Sequence, residues 1–378
     1  MKFKSTVKEL EAKLQHVAAI VDAKATIPVY QHVRLLVQGG KTTLTGRAPY
    51  ATLEVQVTND GPEDGAMLLP AKKLQQILPN LPDANVTLEL VNDKITLRSG
   101  KYRGELVTLP ADNFEGTPEV PEFDKKTLGL PGLKDLIAST IFAVPSDGDK
   151  YTVKVGLLES TGEEVRIVGT NGLHLVLATY SGKAGEFKLI WPRTAMELVQ
   201  DLNGDTVTIS ETESAFVFQT ATETLFVNKV SGEFPPYERL LPKGHKTEIA
   251  VPKAVFLSAI ARVQPFADEE VPAIVFSVAK DGTVLALKAR SNATGFADDT
   301  IEVTTTGVGQ EIILNAKLLT DFVEKASGET SLLIRLNDEK QPVDFVSGNN
   351  YRMLVMPIPV NAPAPAAPAP ETTEKKKK

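Results

Sequence analysis

Three segments decide the fold: KELEAKLQHVAAIV at residues 8–21, LKDLIASTIFAV at 133–144 and VFLSAIARV at 255–263. The first places Leu10, Leu14 and Val17 at helical spacing, which predicts a helix with one apolar face. Positions 123 residues after these are Leu133, Ile137 and Thr140 in the second segment. A further 123 residues lead to Phe256, Ile260 and Val263 in the third. The same helix therefore recurs three times, and this predicts a repeated architecture.

A second helix repeats in the same order. MLLPAKKLQQIL (67–78), LIWPRTAMELV (189–199) and IILNAKLLTDFV (312–323) each run a short apolar strand into a residue suited to a helix start. Those residues are Pro70, Pro192 and Asn315, which lie 122 and 123 positions apart. Two helices at one period indicate a true repeat rather than a chance match of leucine-rich windows.

Alternating apolar and polar residues predict strands in every repeat. They are ATLEVQV, VTLELV and KITLRSG in the first, TVTIS, AFVFQT and ETLFVNKV in the second, and SLLIRL, PVDFV and YRMLVMPI in the third. Hairpin turns fit Asn92-Asp93 and Asp281-Gly282. Each repeat is therefore predicted to be an α+β domain with two helices packed on antiparallel sheet.

The domain boundaries are predicted in two loop-like stretches, TPEVPEFDKK and LLPKGHKTE. We therefore expect domains at residues 1–124, 125–246 and 247–360. The remaining 361–378, NAPAPAAPAPETTEKKKK, lacks large apolar residues and is predicted to be a disordered Ala/Pro/Lys tail.

Composition limits the class of protein. The 378 residues are 42% hydrophobic and 24% charged, with a formal net charge of -7, and no apolar run reaches the ~18 residues of a membrane span. No cysteine is present, and the first residues lack the apolar stretch of a signal peptide. We expect a soluble, cytoplasmic protein without disulfides and without a membrane partner.

No catalytic motif is apparent. The four histidines have no metal-ligand spacing, and the chain lacks GxxxxGK[ST], GxGxxG and GxSxG sequences. We expect no catalytic residue, no metal, no cofactor and no enzymatic activity. A hydrolase on this scaffold would need a polar catalytic cluster, and a sequence-specific DNA-binding regulator would need a recognition helix rich in Arg, Asn or Gln. The repeated helices carry mainly Lys and Ala.

The charges on the repeated helices suggest an alternative to plain solvated surface. With three windows extended to Lys253, Asp201 and Lys325, the six helical windows hold ten basic and seven acidic residues, so they sum to +3 while the rest of the chain sums to -10. The basic residues are Lys8, Lys13, Lys72, Lys73, Lys134, Arg193, Lys253, Arg262, Lys317 and Lys325. If like helices share one surface, that surface is suited to phosphates.

Several stretches together resemble the bacterial DNA polymerase III beta subunit family of sliding clamps. They are TNGLHLVLA (170–178), GEFPPYERLLPK (232–243), the helix starts LLPAKKL and WPR, and the terminal YRMLVMPIPV. The resemblance covers residues 1–360. It implies a non-catalytic DNA replication factor, built as a head-to-tail homodimer whose six domains close a ring around duplex DNA. Two-domain trimeric clamps are a related alternative, which the third repeat disfavours.

The resemblance also implies partners: double-stranded DNA bound without sequence preference, a replicative DNA polymerase, a clamp loader and other proteins with clamp-binding peptides. We expect nucleoid association during replication. By resemblance, the DNA-binding positions are Lys24, Lys72, Lys73, Lys150, Tyr151 and Arg193.

A partner-peptide pocket and a dimer interface follow from the same resemblance. The pocket positions are Val153, Thr170, Gly172, Leu173, His174, Leu175, Pro235, Arg239, Leu240, Asn315, Leu318, Leu354, Met356, Pro357 and Ile358. Leu106 and Phe266 match apolar interface positions. The chain departs from the family pattern at Leu173-His174, where the family has His-Arg, and at Gly104, where an aromatic residue can occur.

Overall fold

We describe the chain from a computed structural model, which covers residues 1–22, 24–61, 63–114, 128–146, 153–182, 185–338 and 340–359. The described chain divides into two compact units. Unit 1 comprises Met1–Gly172 and Leu177–Pro235, and unit 2 comprises Leu173–Val176 and the chain from Pro236 onward. The three-domain division stays a prediction. The expected boundary at residue 124 and the tail at 361–378 lie outside the described residues.

Unit 1 contains four α-helices and most of the strands. The helices are α1 (Val7–Ala18), α2 (Ala71–Ile77), α3 (Leu133–Thr140) and α4 (Arg193–Asp201). The strands are β1 (Lys2–Thr6), β2 (His32–Gln38), β3 (Lys41–Ala48), β4 (Ala51–Gln56), β5 (Gly65–Pro70), β6 (Asn85–Val91), β7 (Lys94–Ser99), β8 (Tyr102–Val107), β9 (Leu128–Pro131), β10 (Val155–Ser160), β11 (Glu164–Thr170), β12 (His174–Ser181), β13 (Phe187–Pro192), β14 (Thr206–Glu211), β15 (Ala215–Gln219) and β16 (Glu223–Asn228). The first residues of β12, up to Val176, belong to unit 2.

Unit 2 repeats the same plan with two further helices, α5 (Lys253–Val263) and α6 (Ala316–Lys325). Its strands are β17 (Thr247–Pro252), β18 (Ala273–Val278), β19 (Val284–Ser291), β20 (Gly295–Glu302), β21 (Thr304–Thr306), β22 (Glu311–Asn315), β23 (Ser331–Leu336), β24 (Val343–Ser347) and β25 (Tyr351–Val355). The described strands within both units pair antiparallel, as β1 does with β6 and β18 with β19. The predicted α+β class is confirmed.

The helices occur as three packed pairs, α1 with α2, α3 with α4 and α5 with α6. The residues predicted to form their apolar stripes are fully buried: Leu10, Leu14, Val17, Leu133, Ile137, Thr140, Phe256, Ile260 and Val263. The three predicted helix starts are also confirmed, because Pro70, Pro192 and Asn315 are the N-cap residues of α2, α4 and α6. The 123-residue period is thus a structural repeat.

Both predicted hairpins form. Asn92 and Asp93 have φ angles of 48° and 58° between β6 and β7, the left-handed backbone that a tight hairpin turn requires. Gly282 has a φ of 74° between β18 and β19, and the Asp281 carboxylate accepts a hydrogen bond from the Thr283 N–H at 3.1 Å. Local turn chemistry therefore fixes the register of these strand pairs.

Strand pairing joins the first and second repeats inside unit 1. The sheet order is β5-β2-β3-β4-β16-β15-β14-β9, and the join is the antiparallel pair of β4 and β16. A four-stranded sheet of order β1-β6-β7-β8 completes the first repeat. In unit 2, β20-β19-β18-β22 form a four-stranded sheet. The strands β8 and β20 therefore each lie at a sheet edge.

A buried carboxylate reinforces the join between the first two repeats. The Glu223 side chain on β16 is fully buried, and it accepts a hydrogen bond from the Asn203 N–H at 2.7 Å. His16 Nδ1 on α1 lies 3.1 Å from Glu223 Oε1, and Lys13 Nζ lies 3.9 Å away. Burial acts to raise the pKa of Glu223, but the bonds from His16 and Asn203 outweigh it and leave the pKa below its usual value.

Candidate functional site

The basic surface predicted to meet DNA is best developed in the first repeat. Lys72 and Lys73 are exposed on α2, while Ala71 and Leu74 on its other face are buried. Lys24 is exposed in the loop after α1, and its backbone N–H donates to the Asp22 carboxylate at 2.8 Å. These three ammonium groups can approach an anion from solvent.

Arg193, the next predicted DNA-binding residue, is partly engaged within the protein. Its Nε donates to Glu197 at 2.9 Å, and its Nη1 donates to the Val144 carbonyl at 2.9 Å. The guanidinium is therefore held at the start of α4 with part of its charge neutralised. The other two predicted positions, Lys150 and Tyr151, lie outside the described residues.

Some basic helix residues serve the fold and not the surface. Lys134 on α3 donates to the carbonyl of Leu202, the C-cap of α4. Lys253 on α5 donates at 2.9 Å to the carbonyl of Ala326, the C-cap of α6. A cation at a helix C-terminus donates to a carbonyl that has no partner within the helix, and it interacts favourably with the negative end of the helix dipole. The +3 balance of the helical windows thus overstates the charge offered to a ligand.

The predicted peptide pocket has its clearest geometry in unit 2. The Met356 N–H donates to the Leu173 carbonyl at 2.9 Å, so the segment Leu173–Val176 lies beside the end of β25. Leu173 is 55% exposed and Met356 is 42% exposed, although both are large apolar residues. Leu175 and Leu354, by contrast, are buried. The segment therefore presents an apolar surface above a packed layer.

Further pocket positions come from three other elements of unit 2. Leu240 is exposed directly after a 3-10 turn at Tyr237–Arg239, and its N–H donates to the Tyr237 carbonyl at 2.9 Å. Asn315 caps α6 by accepting from the Lys317 and Leu318 N–H groups. The Ile358 N–H donates to the Ile313 carbonyl at 2.8 Å, which holds the chain after β25 against β22. Arg239 is exposed, and Leu318, Pro357 and Ile358 are half-buried.

Four predicted pocket residues belong to unit 1: Val153, Thr170, Gly172 and Pro235. Thr170 is buried, and its hydroxyl accepts from the Gly172 N–H at 3.1 Å. Gly172 has a φ of 89°, a left-handed backbone that favours glycine, so it can turn the chain immediately before Leu173. The assembly of all fifteen positions into one pocket stays a prediction.

His174 lies in a low-dielectric environment within this segment. Its side chain is buried, and burial lowers its pKa from 6.5 to about 4. The imidazole is therefore neutral at physiological pH. Whereas an arginine at this position would bring a permanent charge, the buried His174 leaves the segment uncharged.

The edge strands β8 and β20 carry large exposed apolar residues that were not predicted from the sequence. Val107 at the end of β8 is 78% exposed, and Phe296 on β20 is 70% exposed. The predicted interface residues Leu106 and Phe266 are both half-buried. Exposed apolar residues on unpaired strand edges indicate a contact surface. No strand was predicted at 295–302, so nothing in the sequence indicated that Phe296 lies at a sheet edge.

Among the described residues, no group of three or more His, Asp or Glu side chains is placed to hold a metal ion. No helix in the described part of the chain is long and apolar enough to cross a membrane. The described chain presents exposed basic residues on its helices, an exposed apolar segment and open sheet edges.

Comparison with known proteins identifies the family. The N-terminal domain of the DNA polymerase III beta subunit matches residues 1–118, and the C-terminal domain of that subunit matches residues 238–359. The chain is similar to the beta sliding clamp of Pseudomonas putida, with 30% identity over 91% of this chain and 96% of the relative. The chain belongs to the DNA polymerase III beta subunit family.

Solved structures support the same assignment. The DNA polymerase III subunit beta from Pseudomonas aeruginosa has 26% identity to this chain and a TM-score of 0.86, covering 95% of this chain and all of that one. A second structure of that sliding clamp, bound to griselimycin, has 25% identity and the same TM-score and coverage. The resemblance read from the sequence is confirmed.

Titration of His174 should make the stability of the protein depend on pH. Because its folded pKa is about 4 and its unfolded value 6.5, the unfolded chain takes up a proton first as pH falls between these values. At pH 5 this should lower the free energy of unfolding by about 2 kcal/mol relative to pH 8. Urea unfolding of the parent and of His174→Gln, which cannot titrate, isolates the effect. Equal losses in the two proteins would contradict a buried, neutral His174.

Proposed function

We propose that this chain is a DNA polymerase processivity factor and that it works as one half of a sliding clamp. Two copies form a ring of six similar domains, which encircles duplex DNA and tethers a replicative polymerase through a peptide-binding pocket. The protein supplies binding and not catalysis. The observation that carries the proposal is a threefold helix-and-sheet repeat in which β8 of the first repeat and β20 of the third are each an edge strand of their sheet. The similarity to beta sliding clamps over most of the chain supports it.

A ring explains why modest charge on the helices is enough. When topology holds a protein on DNA, its contacts can be few and can be directed to phosphates, which carry no sequence information. We infer that Lys24, Lys72 and Lys73 make such contacts, because they are exposed in the first repeat. We assign the same role to Arg193, Lys150 and Tyr151. Each contact is equivalent at every register, so the ring can slide.

The two-copy assembly is supported by the charges at the strand edges. β20 carries Asp298, Asp299 and Glu302 and no basic residue. β8 itself carries Arg103 and Glu105, which form an ion pair at 3.0 Å. Lys94 and Arg98 on β7 and Lys101 in the turn before β8 add further basic charge beside it. Opposite charges favour pairing of β8 in one copy with β20 in the other, and they disfavour pairing of like edges. The contact is head-to-tail, with Leu106 and Phe266 contributing apolar surface.

We infer that partner proteins bind as short extended peptides at the surface formed by Leu173, Leu240 and Met356, with the remaining pocket positions around it. A flexible methionine and exposed leucines suit several apolar anchors. The Pseudomonas aeruginosa clamp bound to griselimycin supports a ligand site in this family. Partners of this kind include the polymerase and the clamp loader. A loader is needed because this chain has no phosphate-binding loop with which to drive ring opening by ATP.

Encirclement predicts retention that depends on DNA topology. Protein loaded by an ATP-driven loader on nicked circular DNA should remain bound in salt that screens surface charges, because the ring and not the phosphate contacts holds it. Cutting the circle should release it within the time needed to slide off the ends. Bound protein can be measured by gel filtration before and after cutting. Equal retention on circular and linear DNA would refute the ring.

The matched control for this assay is Phe266→Asp, which places an unpaired charge at the proposed subunit contact and should prevent closure. It should be lost from circular and linear DNA alike. If Phe266→Asp were still retained on circular DNA, retention would not depend on the proposed subunit contact.

Truncation of Met356 should weaken peptide binding without unfolding the protein, because the side chain is 42% exposed. Met356→Ala should lower the affinity for a polymerase-derived clamp peptide by ~2 kcal/mol, as expected for a central anchor contact. Calorimetry gives the affinity, and thermal unfolding confirms the fold. Lys243→Ala, at an exposed position three residues after Leu240, is the matched control and should bind as the parent does. If Met356→Ala and Leu240→Ala both bound the peptide with the parental affinity, the peptide would not bind at the predicted pocket.

A further inference from the structure

Alternate residues of β8 point to the two faces of its sheet. Tyr102, Gly104 and Leu106 pair with Ser99, Leu97 and Ile95 of β7, all of which are buried. Residues paired across two antiparallel strands share a face, so these three lie on the core side of the edge strand. The core side of β8 is therefore formed by one aromatic residue, one glycine and one leucine.

The Tyr102 ring occupies the space beside Gly104. A Cβ atom at position 104 would lie 2.8 Å from Tyr102 Oη and 3.3 Å from its Cε1 and Cζ atoms. Separations below 3.0 Å are closer than carbon and oxygen tolerate, so any larger residue at position 104 would displace the ring. Gly104 is not in a left-handed conformation, since the positive-φ glycines do not include it. Glycine is therefore required at this position by the space that the Tyr102 ring fills, and not by the backbone conformation.

This arrangement gives the exposed edge an aromatic surface. Tyr102 is 38% exposed, and Leu106 on the same face packs against the core of unit 1. A tyrosine combines a broad apolar ring with a hydroxyl that can donate a hydrogen bond at the rim of a contact. Tyrosine is among the residues that most often anchor protein interfaces.

We propose that Tyr102, seated over Gly104, is the aromatic anchor of the contact between β8 of one copy and β20 of a second copy. The inference rests on the proposed two-copy ring, and it names the residues that give that contact its affinity. Gly104 is a positioning residue, because it acts only through the place it leaves for the ring. The two residues form one unit, and a change in either should have the same consequence.

Charge identifies a second copy of this chain as the occupant. The edge strand β20 carries Asp298, Asp299 and Glu302; Asp299 is paired with Arg262, which leaves Asp298 and Glu302 for a β8 edge with basic residues beside it. Arg262 holds Asp299 at 2.8 Å through its Nε, which orients one of these carboxylates on the core side of β20. Phe296 adds an exposed apolar side chain to the same strand. A strand with this charge and an exposed aromatic residue is complementary to β8.

A double-mutant cycle tests the unit. Tyr102→Ala should weaken the dimer by about tenfold or more, as expected for an aromatic anchor. Gly104→Ala should weaken it to a similar extent, because the added methyl group displaces the ring. In the Tyr102→Ala background, Gly104→Ala should change the dissociation constant less than about twofold, since no ring remains to displace. Tyr102→Phe keeps the ring and should retain most of the affinity.

Sedimentation velocity over a concentration series gives each dissociation constant, and circular dichroism confirms that each variant unfolds at the parental temperature. Gly244→Ala is the matched glycine control, because a Cβ atom there meets no atom within 4 Å. If the parent is monomeric at every concentration, the proposed ring fails. If the parent dimerises but Tyr102→Ala dimerises equally well, or if the two substitutions weaken the dimer additively, the ring stands and the anchor is overturned.

Discussion

A strand at a sheet edge exposes backbone N–H and C=O groups that another strand can pair with, and the architecture depends on which edges of this chain are paired. Between the first and second repeats, the edges β4 and β16 pair with each other. Two further backbone bonds extend the join, from Gln56 to Thr222 and from Asn228 to Tyr50, each at 2.9 Å. Among the edge strands that the structure describes, β8 and β20 carry the exposed apolar residues Val107 and Phe296. These two edges are what a second copy can satisfy.

The internal join is strengthened by polar chemistry that would be unfavourable elsewhere. A buried carboxylate such as Glu223 is tolerated only with several donors, and His16 and Asn203 supply them from α1 and from the end of α4. Helices of two repeats are thereby tied to one strand. We infer that these bonds to Glu223 keep β4 and β16 paired, so that the proposed ring opens at the contact between subunits.

Much of the fold could be predicted from the sequence because its signals are local. The helical spacing of Leu10, Leu14 and Val17 and the turn at Asn92-Asp93 each depend on residues close together in the chain. The pairing of β4 with β16 joins residues more than 160 positions apart, and no local pattern specifies it. Long-range strand pairing therefore needed the structure.

The candidate sites were predictable to a lesser degree. Counting basic residues suggested a charged helix surface, but Lys134 and Lys253 are turned to the carbonyl ends of neighbouring helices. The pocket residues came from family resemblance, and the sequence alone could not distinguish exposed Met356 from buried Leu354. Phe296 was missed because an edge strand is recognisable only once its neighbours are known.

The central claim is that β8 and β20 complete each other between two copies, and backbone hydrogen exchange tests it most directly. We predict that the amides of Tyr102–Val107 and Gly295–Glu302 become protected together as the protein concentration rises through the dimer dissociation constant. Protection of β4 and β16 should stay constant over the same range. If the protein dimerises while both edge strands continue to exchange as rapidly as in the monomer, the subunits are joined elsewhere and the account is wrong.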